Sequence, residues 1–440
     1  MEFKKSLINA RHHIVFILGL ITALLIAFSI ETRETGQVLG NITFDAPEDI
    51  PFKPQRILTE EEYEWANVAW QYFNNNYQEN TGLVNSVDGY PSTTMWDTAS
   101  YLLGLIAAEK LNIVTDDVFN LRMDKALTTL ARLPLVDGQL PNKAYNTQTL
   151  QMVDYANNPK DNGIGWSAID IGRVLVPLNI MIWQYPQFNK QVNDVLNHWK
   201  VSAMIKDGYL FGARPTNNDG LMELVQEGRI GYEEYASKSL ALMGRDVFNS
   251  MKYIDYLELI DVYGIEIPTD KRDPAEYHAH NYVVSESYIL DGLEFGADSV
   301  SKVFAHRVYE AQERRYEDTG ILTAVSEDNV DEAPYFVYNT VFSDGKKWNA
   351  ISDDGKDQSH LKTLSTKAAF GWYALYESEY TDLLIAEASQ LYSDDKGWYS
   401  GRYESDGRVN KAITANTNGI VLESLAYIEN GPLLKVGEKK

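Results

Sequence analysis

Apolar residues follow two patterns along this chain, and each is typical of a helix. Some segments are apolar on nearly every face, as in 101–108, 174–183, 368–376 and 420–428. Others carry an apolar stripe with charged residues between, as in 300–311. A helix that is apolar all round is buried, whereas a striped helix faces water on one side. The alternation of the two kinds predicts an inner ring of helices inside an outer ring.

A glycine next to an apolar residue separates successive helical segments six times. Steps of 56 to 77 residues separate these glycines, which are Gly82, Gly138, Gly208, Gly264, Gly320 and Gly397. A repeat of this length indicates stacked supersecondary units, and glycine suits the left-handed conformation just past a helix. The sequence therefore predicts an all-α fold, an (α/α)6 toroid of six helical hairpins over residues 57–432. The long stretches 141–162 and 326–364 are predicted to be functional loops.

An uncharged apolar run from Ile14 to Ile30 follows the basic residues Lys4, Lys5 and Arg11. As a helix it would cover roughly 25 Å, near the short end for crossing a bilayer. The basic flank predicts a cytoplasmic N-terminus and export of the remainder. We expect a transmembrane anchor within 1–30, a tether over 31–56 and a charged tail over 433–440. This predicts a single-pass protein of the cytoplasmic membrane, its soluble domain in the periplasm or outside. The alternative is a signal cleaved after Ala27-Phe28-Ser29.

Charge narrows the range of partners. The 39 basic and 63 acidic residues give a net charge of −24, so nucleic acid is not an expected partner. Anionic polysaccharides are disfavoured for the same reason, while neutral glycans remain possible. Aromatic residues make up 12% of the chain and can form a core or platforms for sugar rings. The absence of cysteine excludes thiolate catalysis, thiolate metal sites and disulfides.

No cofactor or metal site is predicted. His278 and His280 lack the spacing and the matching acids of a zinc site. The segment 353–357 matches a DDxxD magnesium motif, but it lies in a polar, glycine-containing loop. Phosphate-binding, dinucleotide-binding and EF-hand motifs are absent from the sequence.

Acidic and aromatic residues gather where the predicted inner helices begin. These starts share one end of a toroid, so the side chains are expected to converge on a cleft. Two carboxyl groups across a cleft suit glycoside hydrolysis, in which one donates a proton and the other stays ionised. We expect Glu227 to be the general acid and Glu286 its partner, with Asp97, Asp170 and Glu234 as further catalytic candidates. The predicted substrate-binding residues are Trp96, Trp166, Arg229, Tyr232, Tyr288, Trp398, Tyr403, Glu404 and Asn418. The alternative for each acid is that it only caps a helix N-terminus.

Several motifs resemble a bacterial family known as domain of unknown function 3131. They are Trp96-Asp97-Thr98-Ala99-Ser100, the stretch 165–173, Gln226-Glu227-Gly228-Arg229 with 231–235, the stretch 365–372, and Asn416-Thr417-Asn418 before 421–423. The resemblance runs in order from about residue 60 to 430. That family is similar to toroidal endo-β-1,2-glucanases and to glucoamylase-like proteins. The resemblance thus implies a toroidal fold and suggests a glucan as substrate, without assigning a catalytic acid or base to any position.

The leading hypothesis is an exported glycoside hydrolase that cleaves a bacterial glucan or exopolysaccharide with a carboxylate acid/base pair. The alternative is a non-catalytic glycan-binding or exopolysaccharide assembly protein. A polysaccharide lyase is a third possibility, but it would need a Tyr or His base and basic residues to meet uronates. The net charge of −24 disfavours it.

Overall fold

The structure is a computed structural model, and it describes residues 51–438 except 217–220, 228 and 278–279. The predicted anchor over 1–30 and most of the tether lie outside the described residues. Within the described part, no helix is long and apolar enough to cross a membrane. The prediction of a single-pass membrane protein thus has no support in the structure, and we withdraw it.

Helices make up the framework of the described chain. They are α1 (Glu60–Asn75), α2 (Met95–Lys110), α3 (Asp116–Leu130), α4 (Ala168–Gln184), α5 (Asn189–His198), α6 (Tyr232–Leu242), α7 (Pro274–Tyr277), α8 (Glu286–Leu290), α9 (Ser299–Thr319), α10 (Thr366–Leu375), α11 (Glu379–Ala388) and α12 (Ala415–Asn430). A π-helical turn over Asp291–Phe295 continues α8. Three 3₁₀ turns lie at Pro186–Phe188, Val201–Met204 and Ser359–Leu361.

Six buried helices form a closed ring. Helices α2, α4, α6, α8, α10 and α12 each pack against the next, and α12 packs against α2. Nearly all residues of α2 and α12 are buried, as expected for helices with neighbours on every side. Helices α1, α3, α5, α9 and α11 pack outside this ring, against α12, α2, α4, α8 and α10 respectively.

The prediction of an all-α fold was wrong, because the fold mixes helices with many short strands. The strands are β1 (Ser92–Thr94), β2 (Leu135–Val136), β3 (Leu140–Pro141), β4 (Ala144–Asn146), β5 (Met152–Val153), β6 (Ile205–Lys206), β7 (Tyr209–Leu210), β8 (Gly212–Pro215), β9 (Met222–Val225), β10 (Leu257–Val262), β11 (Ile265–Asp270), β12 (Tyr282–Val283), β13 (Glu327–Asn329), β14 (Phe336–Asn339), β15 (Phe342–Ser343), β16 (Lys346–Lys347), β17 (Ala350–Ile351), β18 (Thr363–Ser365), β19 (Tyr392–Ser393), β20 (Gly397–Tyr403) and β21 (Val409–Ile413). Between α6 and α8 the described chain forms the β10–β11 hairpin and the one-turn α7 in place of an outer helix.

The glycine repeat explains the error. Gly138, Gly208 and Gly264 each follow a residue with positive φ and join two antiparallel strands. Two consecutive positive φ values define a type I′ hairpin turn, for which an Asp-Gly pair is a strong signal. Gly320, by contrast, caps the end of α9 in the left-handed conformation. The same motif thus serves two different elements.

The strands lie where the buried helices begin. All their pairings are antiparallel, and the larger sheets have the orders β1-β4-β5, β12-β15-β16, β13-β14-β17 and β18-β20-β19, with β21 beside β20. Strand β1 runs directly into α2, β18 into α10, and Thr414 links β21 to α12. The predicted loops 141–162 and 326–364 contain several of these strands. The sheets therefore build one end of the ring, and the candidate site lies at that end.

Candidate active site

Glu286 begins α8 and is almost completely buried, with 1% of its surface exposed. Its Oε1 accepts hydrogen bonds from Trp96 Nε1 at 2.9 Å and from Asn416 Nδ2 at 2.7 Å. Its Oε2 accepts one from Ser326 Oγ at 3.2 Å and forms an ion pair with Lys367 Nζ. Four separate segments of the ring end therefore direct donors at one carboxylate.

These partners keep the Glu286 carboxylate ionised. Burial by itself raises the pKa of Glu286, but the cations Lys367 and Arg173 outweigh burial and lower that pKa below its usual value. Burial likewise lowers the pKa of Lys367, and the acids Glu286, Asp328 and Glu327 outweigh it, so this pKa is raised. Asp328 Oδ1 lies 3.7 Å from Lys367 Nζ, and burial raises the pKa of Asp328 to about 7.

Glu327 differs from its neighbours because it is only half-buried. Burial, and then the negative charge of Glu286, raise its pKa to about 7, against the opposing effects of Lys367 and Arg229. The Tyr232 hydroxyl also interacts with the Glu327 carboxyl. Glu327 can therefore hold or release a proton near neutral pH.

A second pair of carboxyl groups lies at the start of α4. Glu227 Oε2 accepts the backbone N–H groups of Ala168 at 2.7 Å and Ile169 at 3.1 Å. Asp170 is half-buried and accepts a hydrogen bond from Ser167 Oγ at 3.0 Å. Burial and the neighbouring charge of Glu227 raise the pKa of Asp170 to about 7. We call Asp170, Glu227, Glu286 and Glu327 together the carboxylate site.

Arg229 is the cation between the two halves of the carboxylate site. Its guanidinium lies 4.7 Å from the ring centre of Tyr282 and 5.5 Å from that of Tyr338. Those two rings stack with their centres 4.1 Å apart. Burial opposes the charge of Arg229, while both tyrosines, then Glu327 and Glu227, raise its pKa. Arg229 is thus within electrostatic reach of both acids.

Trp96 forms the aromatic surface of the site. Its indole is half-buried, and it meets the Tyr232 ring edge-on with centres 5.6 Å apart. The Arg173 guanidinium lies 4.4 Å from the indole on a ring face. The hydrogen bond from Nε1 to Glu286 fixes the orientation of the ring. The structure thus brings Trp96, Arg229 and Tyr232 together with the four acids of the carboxylate site.

The remaining predicted aromatic residues are buried. Trp166 Nε1 donates to the Phe211 carbonyl at 3.1 Å, and Trp398 Nε1 donates to the Trp65 carbonyl at 3.1 Å. Tyr403 donates to Asp331 Oδ1 at 2.7 Å, and Tyr288 is 2% exposed. All four side chains pack inside the protein and leave almost no surface for a substrate.

The other polar candidates serve helix ends or internal contacts. Asp97 accepts from Thr94 Oγ1 at 2.7 Å in the first turn of α2, and burial raises its pKa. Glu234 accepts the Gly231 N–H at 2.7 Å, and burial and Glu233 raise its pKa to about 8. Asn418 Oδ1 accepts the Trp398 N–H at 2.8 Å, and Glu404 accepts two hydrogen bonds from Arg315 at 2.7 and 2.8 Å.

The sequence pattern placed Glu327 among the acids expected at the cleft but did not make it a catalytic candidate. It did not single out Lys367, Asn416, Tyr282 or Tyr338 as site residues. A signal existed for Lys367, because a lysine in the first turn of an all-round apolar helix needs a buried acidic partner. The tyrosines gave no comparable signal, since aromatic residues in short strands are ordinary core residues.

A cavity of about 390 Å³ lies at the other end of the ring. Leu242, Phe295 and Leu434 are among the mostly apolar side chains that line it. Of the described residues that line it, only Lys238 is charged. Within the described ranges, no three His, Asp or Glu side chains are grouped to bind a metal ion.

A family model described as "Protein of unknown function (DUF3131)" matches residues 64–431. The chain belongs to this family. The match confirms the resemblance seen in the sequence motifs, and it spans the DUF3131 domain from α1 to the end of α12. No curated protein matches this DUF3131 chain significantly in sequence.

Solved structures share the fold of this DUF3131 protein. An endo-β-1,2-glucanase from Chitinophaga pinensis, solved with sophorotriose and glucose, is 13% identical with a TM-score of 0.60 and covers 86% of this chain and 94% of its own. A putative glucoamylase from Bacteroides caccae is 14% identical with a TM-score of 0.61, covering 85% and 94%. An endo-β-1,2-glucanase from Talaromyces funiculosus, solved with sophorose, is 12% identical with a TM-score of 0.56, covering 85% and 84%. At these identities the likeness establishes the fold.

Proposed function

We propose that this DUF3131 protein is a glycoside hydrolase that cleaves a glucan at the carboxylate site. One observation carries the proposal: Arg229, whose guanidinium lies 4.7 Å from the Tyr282 ring centre, is within electrostatic reach of both Glu327 and Glu227. Glu327 stands before α10, and Glu227 is bonded to the start of α4. These two helices are opposite each other in the ring of six. The shared fold with endo-β-1,2-glucanases supports a glucan as substrate.

We assign the proton-donor role to Glu327. A general acid must be protonated yet able to lose its proton near the working pH, and the pKa of Glu327 is raised to about 7. As the glycosidic C–O bond breaks, the Glu327 carboxyl would give its proton to the leaving oxygen. Glu286 is less suited to contact a substrate because it is buried and fully engaged by its four donors.

We assign the base role to Glu227, which revises the acid role expected from the sequence. Its Oε2 accepts two backbone N–H groups at a helix N-terminus, which is a common place for an anion to bind. The Oε1 atom would take a proton from water while the water oxygen attacks the anomeric carbon. The result would be net hydrolysis with inversion at that carbon. Trp96 offers a ring face for a sugar, and Asp170 lies beside the base.

The first test is a reducing-end assay on the purified chain with a panel of linear β-glucans, including the β-1,2-linked polymer, and exopolysaccharides. Glu327→Gln and Glu227→Gln are each expected to lower kcat/KM by about 10²–10⁴-fold, the usual loss for a missing acid or base. Glu379→Gln, an exposed acid at the start of α11, is the matched control. Binding of a glucan without any product release would favour the non-catalytic glycan-binding alternative.

A second test separates the two roles. An aryl glucoside with an acidic leaving group needs little protonation, so it should restore much of the rate of Glu327→Gln. Azide should restore the rate of Glu227→Gln by replacing the activated water. Proton NMR of the first product formed should show the inverted anomer. A retained anomer, or rescue of the two variants in the opposite sense, would reject these assignments.

A further inference from the structure

Three consecutive residues, Ser326, Glu327 and Asp328, lead into and begin β13. Side chains alternate between the two faces of a strand. Ser326 donates to Glu286, and Asp328 lies 3.7 Å from Lys367, so both side chains face the buried ion pair. Glu327 faces the other way, where Tyr232 and Arg229 lie and where it is half-exposed. The strand therefore carries one accessible acid directly beside a buried charge.

We propose that Glu286 is a positioning residue whose buried charge, held by Lys367, keeps the proton on Glu327. This inference rests on the proposed function for its catalytic meaning, but the protonation of Glu327 can be measured without any reaction. In this arrangement Glu286 never touches the substrate. It acts through Glu327, and it also orients Trp96 through the hydrogen bond to the indole N–H.

Three charged side chains from different segments act on Glu327, together with one neutral hydroxyl group. Glu286 on α8 favours the proton, while Lys367 on α10 and Arg229 before α6 oppose it. The Tyr232 hydroxyl on α6 is neutral at ordinary pH, because burial raises its pKa well above the usual value. Burial is the first cause of the raised pKa of Glu327, and the charge of Glu286 follows it, ahead of either cation. The charge of Lys367 interacts with both Glu286 and Asp328. The charge of Arg229 interacts with Glu327, Glu227 and the two stacked tyrosines.

The four donors to Glu286 explain why the charge stays there rather than on Glu327. An ionised carboxylate in the interior needs hydrogen bonds and a cation to offset its lost hydration. Glu286 has three neutral donors and Lys367, with Arg173 as a more distant cation. Two like charges side by side cannot both be stable. Glu286, which has more hydrogen-bond donors and a paired cation, therefore keeps the charge, and Glu327 keeps the proton.

The experiment is to titrate Glu327 in the full chain carrying carboxyl-¹³C glutamate, with the signal assigned through Glu327→Gln. In the unmodified protein we expect a midpoint near the raised pKa of about 7. In Glu286→Gln, which removes the charge but keeps the shape, the pKa should move down toward the ordinary value of 4.5. Glu294→Gln is the matched control, being a buried acid in the π-helical turn that continues α8. It should leave the Glu327 midpoint in place.

Glu286→Gln leaves the Lys367 charge with Asp328 as its remaining partner, and this variant can fail to fold. The double variant E286Q/K367M removes both charges, and neutral replacement of a buried pair is well tolerated. It should also lower the Glu327 midpoint, by less than the single variant, because one opposing cation is lost as well. An unchanged midpoint in the folded variant overturns the inference. If no glycan is cleaved by any form, the proposed function fails while the titration still decides the role of Glu286.

Discussion

Glu404 shows at the scale of one residue how an acid at this end of the ring can serve the fold. It accepts both terminal nitrogens of Arg315, and the two side chains are 9% and 5% exposed. Removing one partner of a buried pair leaves the other uncompensated and costs about 3–5 kcal/mol. We therefore expect Glu404→Gln to lower the free energy of unfolding by about 3 kcal/mol, with glucan affinity unchanged. Urea unfolding and calorimetry measure the two quantities.

The control for that prediction is Glu332, whose pair with Arg408 has both side chains about half exposed. Exposed pairs contribute about 0–1 kcal/mol, so Glu332→Gln should have a small effect. A loss of affinity in Glu404→Gln without a loss of stability would instead assign Glu404 to the substrate.

The acidic residues at the helix starts show how far the site could be predicted from the sequence. Asp97, Glu234 and Glu286 all begin buried helices, and a sequence does not distinguish a cap from a catalytic acid at that position. What separates them is the partner: a backbone N–H for Glu234, and Lys367 for Glu286. The partner of Glu234 is the nearby Gly231 N–H, whereas Lys367 comes from a distant part of the chain. The set of acids was therefore predictable, while the role of each depended on the folded structure.

At the scale of elements, helices α2 and α12 approach closely through glycine. A Cβ on Gly419 would lie 2.7 Å from the Ser100 carbonyl oxygen, and Gly104 lies opposite. Alanine normally favours a helix over glycine by about 1 kcal/mol, but here the backbone itself would have to move. We expect Gly419→Ala to destabilise the protein by about 1–3 kcal/mol, the usual cost of overpacking. The midpoint of denaturant unfolding measures it.

Gly264 provides the contrasting case. It has a φ of +80° in the β10–β11 turn, and no atom lies within 4 Å of a Cβ placed there. Gly264→Ala should therefore cost only the conformational strain of about 1–2 kcal/mol. A bulkier side chain at position 419 should destabilise the protein further. If Gly419→Ser is no more destabilising than Gly419→Ala, close packing of the two helices is not the cause of the destabilisation.

The two roles of glycine explain which helices and strands could be predicted from the sequence. The buried helices were predictable, because a helix that is apolar on every face is normally buried. The hairpins at Gly138, Gly208 and Gly264 were misinterpreted as helix ends, since glycine serves both. Strands of two or three residues leave too few positions for an alternating pattern to be recognised.

At the scale of the whole molecule, several buried carboxyl groups make stability depend on pH. Their pKa values are raised mainly by burial: to about 7 for Asp170, Glu294, Glu327 and Asp328, and to about 8 for Glu234. A raised folded-state pKa means that the folded form binds more protons. The stability from these groups is full below the unfolded pKa of about 4 and is lost as pH rises through 7–8.

We therefore expect the free energy of unfolding to fall between about pH 5 and about pH 8.5. Glu62 and Asp298 act in the opposite direction, because their pKa values are lowered to about 2, and they reduce stability only below about pH 4. Urea midpoints measured across this range test the slope. Glu294→Gln should make the slope shallower, and a stability that rises steadily toward pH 8.5 would contradict the expectation.

The closure of the ring by α2 and α12 has a consequence for how the chain folds. These helices lie near opposite ends of the described sequence, yet they share the contact at Gly104 and Gly419. While the chain is being synthesised, the apolar face of α2 that packs against α12 stays uncovered until α12 leaves the ribosome. Contacts between such distant segments form slowly, and exposed apolar surface during that delay favours aggregation. The ring can therefore aggregate during synthesis, and this risk ends only when α12 packs against α2.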